Sequence, residues 1–156
     1  MKIRLYEIYL EELRRLHLGQ AMDIAWHKDN DKFPNPQEYI AMVKNKTGTL
    51  ASLAAKIGCL AANADKETVA ECGEIASDIG AGFQIIDDVI NLTSGNPGKK
   101  RGDDNVEGKK SLITLIFAEE NKNNPQKIKL LQEYFVQASK EGIESSAVEK
   151  AISLLN

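Results

Sequence analysis

Two stripes at helical spacing run side by side through residues 69–91, and they leave this stretch no way to fold as a strand. Val69, Cys72, Ala76, Ile79, Phe83, Ile86 and Ile90 step by three and four, the pattern of one buried helix face. Beside them, with the same rhythm, run Gly73, Ser77, Gly80, Gln84, Asp87 and Asn91. This second stripe is small at one end and polar at the other. A glycine inside a helix costs roughly 1 kcal/mol relative to alanine. Gly73, Gly80 and Gly82 therefore call for close helix packing or for space beside the helix, and the sequence alone leaves both open.

The rest of the chain also reads as helix. A first helix is expected over about residues 3–28, ended by the polar, Pro-containing stretch 29–35. A second begins with Asn35 as N-cap, Pro36 at the first helical position and Glu38 placed to complete a capping box, and runs to about residue 64. The striped helix covers about residues 65–92. From Thr93 to Gly108 the chain carries Gly95, Pro97, Gly98, Gly102 and Gly108, which disfavour helix. Three more helices follow over about residues 109–120, 125–140 and 145–155. The expectation is an all-α chain of about six helices in a single domain, residues 1–156.

Bulk properties exclude several classes. The 156 residues, 42% hydrophobic and 28% charged, suit one globular domain with a modest core. A net charge of −3 gives no electrostatic reason to expect nucleic acid. Cys59 and Cys72 sit among apolar residues of expected helices and read as small buried hydrophobes, with no disulfide framework or thiolate metal site. No apolar run approaches the roughly 18 residues that span a bilayer, and the charged start is not a signal peptide. A cytoplasmic location is expected.

Three helices share one design, apolar at one end of the inward face and polar at the other. In the first, Leu13 and Leu16 lead into Gln20, Asp23 and His27, although His27 is equally readable as a surface residue. In the second, the stripe Tyr39, Val43, Lys46, Leu50, Leu53, Ile57, Leu60 is broken only by Lys46. An inward ammonium needs an anionic neighbour, either a structural carboxylate or a ligand. Thr47 adds a hydroxyl nearby. In the third, Asp87 and Asn91 stand four apart and Asp88 beside them, so their oxygens can reach a common ligand. Hard cations favour such donors, and Mg²⁺ commonly completes its shell with water and substrate phosphate. Helices of this kind enclose a greasy cavity with a charged mouth.

Four segments in order, GQAMD at 19–23, KTG at 46–48, GFQIIDDVIN at 82–91 and KKRGDDNVEGKKS at 99–111, resemble the C-terminal portion of a trans-type isoprenyl diphosphate synthase. The resemblance covers roughly residues 6–120. It implies the helical isoprenoid synthase fold and a Mg²⁺-dependent condensation of an allylic diphosphate with isopentenyl diphosphate. Asp87, Asp88 and Asn91 correspond to the second aspartate-rich motif and its metal ligands, with Asn91 where Asp is commoner. Lys46, Thr47, Gln84 and Lys99 match positions that contact the allylic diphosphate, and Lys109, Asp104 and Glu107 match the flexible loop after the motif; Lys109 is counted with the diphosphate-binding residues. Lys46, Thr47, Gln84 and Asp87 are the implied catalytic set. Gln20, Asp23 and Phe83 are implied cavity-wall residues.

The family's first aspartate-rich motif has no counterpart here. A further acidic cluster, Asp29 to Asp31, falls in a break between helices. A clamp with one carboxylate wall cannot assemble the metal cluster, and inward faces built to meet a second half would leave apolar surface in water. The resulting expectation is a subunit of a split prenyltransferase, active only in a hetero-oligomer with a partner that carries the first motif. The alternatives are a non-catalytic regulatory or scaffolding subunit that has kept the fold, and a terpene cyclase fragment.

Overall fold

The structure, a computed structural model, describes residues 2–29, 33–95, 97–98 and 100–155. Among these residues every regular element is helical: α1 (Lys2–Lys28), α2 (Pro36–Val43), a π-helical turn (Lys44–Gly48), α3 (Thr49–Ala61), α4 (Lys66–Thr93), α5 (Asp103–Val106), α6 (Leu112–Glu120), α7 (Pro125–Glu141) and α8 (Ser146–Leu155). The all-α expectation holds. The chain divides into two compact units, residues 1–23 with 40–84 and residues 24–39 with 85–156.

Local chemistry accounts for several boundaries. The Asn35 N–H donates to Glu38 Oε2 at 2.8 Å and the Glu38 N–H to Asn35 Oδ1 at 2.8 Å, a reciprocal capping box that starts α2. At α4 the Thr68 N–H donates to Asp65 Oδ1 at 2.8 Å. The fourth expected helix begins at Leu112 rather than 109, because the Ser111 hydroxyl caps it by accepting from the Thr114 N–H. The loop after α4 is not free of helix either. Gly102, at φ 79°, turns the chain into the short α5, and its N–H donates to the Asn91 carbonyl at 2.9 Å.

The second expected helix is two helices joined by the π-helical turn, and this overturns its downstream stripe at Leu50 and Ile57, while Leu60 is buried as expected. One extra residue in a helix rotates everything after it by about 100°. Tyr39 and Val43, before the turn, are buried, but Leu50 is 59% exposed. Its neighbours Thr49 and Ser52 face inward instead. They meet Glu12 of α1, which is fully buried. Thr49 Oγ1 donates to Glu12 Oε2 at 2.7 Å, Ser52 Oγ to Oε1 at 3.0 Å, and Lys56 Nζ to Oε1 at 2.5 Å.

The buried stripe expected on α4 is also corrected. Val69 is buried, yet Ile79 is 68%, Phe83 70% and Ile86 58% exposed. The small-residue stripe is the one that packs. A methyl group on Gly80 would lie 2.9 Å from Gly48 Cα, and one on Gly48 would lie 2.6 Å from the Ser77 carbonyl oxygen. Backbones that approach so closely exclude bulky side chains from the seam, so the apolar stripe faces water. The cysteines, too, are half-exposed rather than buried.

The second unit has conventional apolar cores. Leu92, Ala138, Ala147, Val148 and Ile152 form one cluster. Phe117, Leu131, Phe135 and Ala151 form another. No helix among the described residues is long and apolar enough to cross a membrane.

Glu12 gives a test of the first unit. Burial, the largest influence, pushes its carboxyl up, but hydrogen bonds from Lys56 and Thr49, the Lys56 charge and the Ser52 hydroxyl outweigh it and hold the group below its ordinary 4.5. A depressed carboxylate contributes stability above its unfolded value and loses it as pH falls through the folded one. Glu12→Ala, which strands Lys56 opposite a void, should lower the unfolding free energy by about 3 kcal/mol at neutral pH. Urea titrations of both chains should show this gap narrowing once the pH drops below the carboxylate range.

Candidate active site

Each unit carries one polar cluster built on the residues that the sequence singles out. In the first, α1 brings Asp23 to the π-helical turn. Asp23 is buried, and its Oδ2 accepts from Lys46 Nζ at 2.5 Å. The inward lysine thus has a carboxylate partner, while its own side chain stays one-third exposed. A methyl group on Gly19 would lie 2.4 Å from the Lys46 backbone nitrogen, so only glycine lets α1 seat against the turn. The next residue, Thr47, donates from Oγ1 to Gln84 Oε1 of α4 at 3.2 Å. The structure therefore joins Asp23 to Lys46 and Thr47 to Gln84. Gln20 lies on the exposed side of α1, and Phe83 stands in solvent.

The second unit holds the carboxylate motif. Asp88 is buried, and both its oxygens are engaged: Oδ2 accepts from the Tyr39 hydroxyl at 2.5 Å and Oδ1 from Lys109 Nζ at 2.8 Å. Lys109 also donates to Asp104 Oδ2 at 2.9 Å. Burial, the largest influence on Lys109, favours its neutral form, but the charges and hydrogen bonds of Asp88 and Asp104 overcome it and raise the ammonium well above the ordinary lysine range. Asp87 is half-buried. Asn91 is 1% exposed, and neither its amide nitrogen nor its amide oxygen has a hydrogen-bond partner. Glu107 is exposed, and Lys99 lies outside the described residues.

Tyr39 was absent from the sequence-based site. The available signal was a tyrosine at the head of an apolar stripe, since a buried phenol needs an acceptor for its O–H. Lys109, on the loop that follows the motif, bridges Asp88 and Asp104.

A buried carboxamide with unmet hydrogen-bonding capacity, one turn from a half-buried aspartate, fits part of the oxygen shell of a hard cation. Asn91 is the donor with unmet hydrogen-bonding capacity, and Asp87 stands one turn before it. Among the described residues no group of three or more His, Cys, Asp or Glu side chains is placed to hold a metal ion. The residues fit a half-shell that needs ligands from elsewhere.

A helical fold with inward lysine and threonine on one element and an aspartate-rich helix on another defines the isoprenoid synthase class. Residues 1–154 match the polyprenyl synthetase family, and the chain belongs to it. It is 42% identical over 132 residues to a geranylgeranyl pyrophosphate synthase of Gibberella zeae, covering 83% of this chain and 34% of that protein. With a geranylgeranyl pyrophosphate synthase of Aspergillus flavus it shares 37% over 146 residues, 92% of this chain and 41% of that one. The solved geranylgeranyl pyrophosphate synthetase of Pyrococcus horikoshii superposes with a TM-score of 0.83 at 30% identity, over 99% of this chain and 45% of that one. The heptaprenyl diphosphate synthase of Staphylococcus aureus, 24% identical with a TM-score of 0.75, shares the fold. The chain thus spans less than half the length of these relatives.

Removing either partner of Asp88 should be measurable. Tyr39→Phe leaves Asp88 Oδ2 buried without its donor and should cost about 2 kcal/mol, and Lys109→Met, which leaves two carboxylates facing each other, about 3 kcal/mol. Because the Lys109 ammonium is raised, its contribution is complete below the ordinary lysine value of 10.5 and is lost only as pH rises through the folded value. Chemical denaturation should accordingly find the Lys109→Met loss constant from about pH 6 to about pH 9.

Proposed function

We propose that this chain supplies the second aspartate-rich wall and the diphosphate-binding lysine of a prenyl diphosphate synthase, whose first wall comes from a separate partner polypeptide. The observation that carries this reading is the open apolar face of α4: Ile75 is 62%, Ile79 68%, Phe83 70% and Ile86 58% exposed. Monomeric proteins rarely leave such a run in water, and a face of this kind calls for a covering element.

In this proposal Lys46, oriented by Asp23, and Thr47, held by Gln84, receive the allylic diphosphate. Both geometries are preformed, which lowers the cost of ordering on binding. Lys46 exchanges one anionic partner for another, and Lys99 and Lys109 add positive charge around the leaving group. Asp87, Asp88 and Asn91 are the proposed Mg²⁺ ligands; Asn91 offers an oxygen with no hydrogen-bond partner, while Asp88 would have to share oxygens already given to Tyr39 and Lys109. Bound Mg²⁺ would neutralise charge on the departing diphosphate. Ionisation of the allylic carbon–oxygen bond gives a cation, the double bond of isopentenyl diphosphate attacks it, and the diphosphate accepts the proton lost afterwards. Phe83, Gln20 and Asp23 are placed in this reading on the wall of the completed cavity, where an apolar lining keeps water from the cation. The complex would be a hetero-oligomer working in the cytoplasm.

Chain elongation should be assayed with this chain, with a polypeptide bearing the first aspartate-rich motif, and with both. Product from the mixture alone is expected. Robust turnover by this chain alone would overturn the split arrangement. Within an active mixture, Asp87→Ala should lower kcat at least about 10²-fold; full activity would instead favour a scaffolding subunit.

A further inference from the structure

The α3–α4 hairpin contains a feature that prenyl transfer does not use. The helices run antiparallel along a seam of small residues, and the contacts fix their register. Gly80 lies against Gly48 and Ala51, and Gly73 lies against the Lys56 side chain. Three residues past Lys56 comes Cys59, one before Gly73 comes Cys72, and the register puts them opposite each other near the closed end of the hairpin. Both are half-exposed and in the thiol form. A disulfide needs Cβ atoms about 3.5–4.5 Å apart, a separation that ordinary helix packing seldom allows and a glycine-lined seam favours.

We propose that Cys59 and Cys72 are a redox modification site, an intrachain disulfide that staples α3 to α4. Two thiols give one disulfide with loss of two electrons and two protons. A low-molecular-weight disulfide such as oxidised glutathione takes them up and leaves as two thiols. One cysteine thiolate attacks the reagent, and the other then displaces the bound glutathione. Hydrogen-bonding contact with Cys59, the largest influence, and burial both push the Cys72 thiol up. That influence acts only between neighbouring sulfurs, in agreement with the register of the hairpin. The staple closes the end of the hairpin remote from the Thr47–Gln84 bond, so it restrains the two helices without touching that contact. The inference stands independently of the proposed activity.

The test uses the full chain incubated with oxidised glutathione, then blocked at remaining thiols and digested with trypsin. Cleavage after Lys56 and Lys66 puts the two cysteines in different peptides. The expected result is loss of both thiols together, the two peptides joined, a chain that gains no glutathione mass, and a Tm raised by about 5 °C or more that dithiothreitol reverses. Cys59→Ser should abolish the shift and retain one glutathione on Cys72. Retention of glutathione on both cysteines of the parent chain, or peptides joined only between two chains, would overturn the proposal.

Discussion

A helix that carries an extra residue in one turn must re-aim every side chain after it, and the π-helical turn at Lys44–Gly48 does this for the whole first unit. Before it, Tyr39 and Val43 point inward. After it, Leu50 is turned out, and Thr49, Ser52 and Lys56 are turned toward Glu12. The turn itself presents Lys46 to Asp23 and Thr47 to Gln84. Gly48 leaves room for the Ser77 backbone, and Gly19 for the turn's own backbone. An uninterrupted α-helix over the same residues would turn Leu50 inward and Thr49 outward, depriving buried Glu12 of its hydrogen bond from Thr49.

The consequence is a unit held by polar specificity at its seam. Glu12 and Asp23 are buried charges, and each has a lysine and a fixed geometry. Buried ion pairs of this kind contribute little net stability over an apolar substitute but penalise any other register severely. That property suits a segment whose helices must hold a lysine and a threonine in fixed places. The second unit divides the work differently. Its stability lies in the apolar clusters of α6, α7 and α8, and its polar chemistry is gathered around Asp88. Lys109 neutralises part of the local negative charge, so Asp87 and Asp88 can be adjacent without strong mutual repulsion.

How much of this was legible depended on the range of the interaction. The capping box at Asn35 and Glu38 is a four-residue event, and the structure reproduces it bond for bond. Pro125 at the start of α7 is another. Lys46 was readable as an inward charge in need of an anion, because a single break in an apolar stripe is conspicuous. The π-helical turn was not readable, since its extra residue is stabilised by tertiary contacts with Gly19 and Ser77. Glu12 was hidden for the same reason. Its hydrogen-bond donors lie more than thirty residues away and become inward only after the turn has rotated them. The two stripes of α4 were both visible, but periodicity reports that a helix has faces and not which face is covered. Glycine and serine decided that by letting backbones approach.

The exposed stripe of α4 also limits what can cover it. Fully burying a large apolar side chain contributes about 1.5–3 kcal/mol, so Ile75, Ile79, Phe83 and Ile86 together offer on the order of 10 kcal/mol at most. Association costs an estimated 4–15 kcal/mol before any ordering of side chains. A complement that touched only this stripe would bind weakly. Ile3, Tyr6, Leu10 and Leu18 of α1 are exposed as well, at 75%, 57%, 61% and 51%, and they offer the further apolar area that the proposed complex would need. Under the proposed split arrangement, a partner bringing the first carboxylate wall would therefore have to engage more of this chain than the helix that carries the motif.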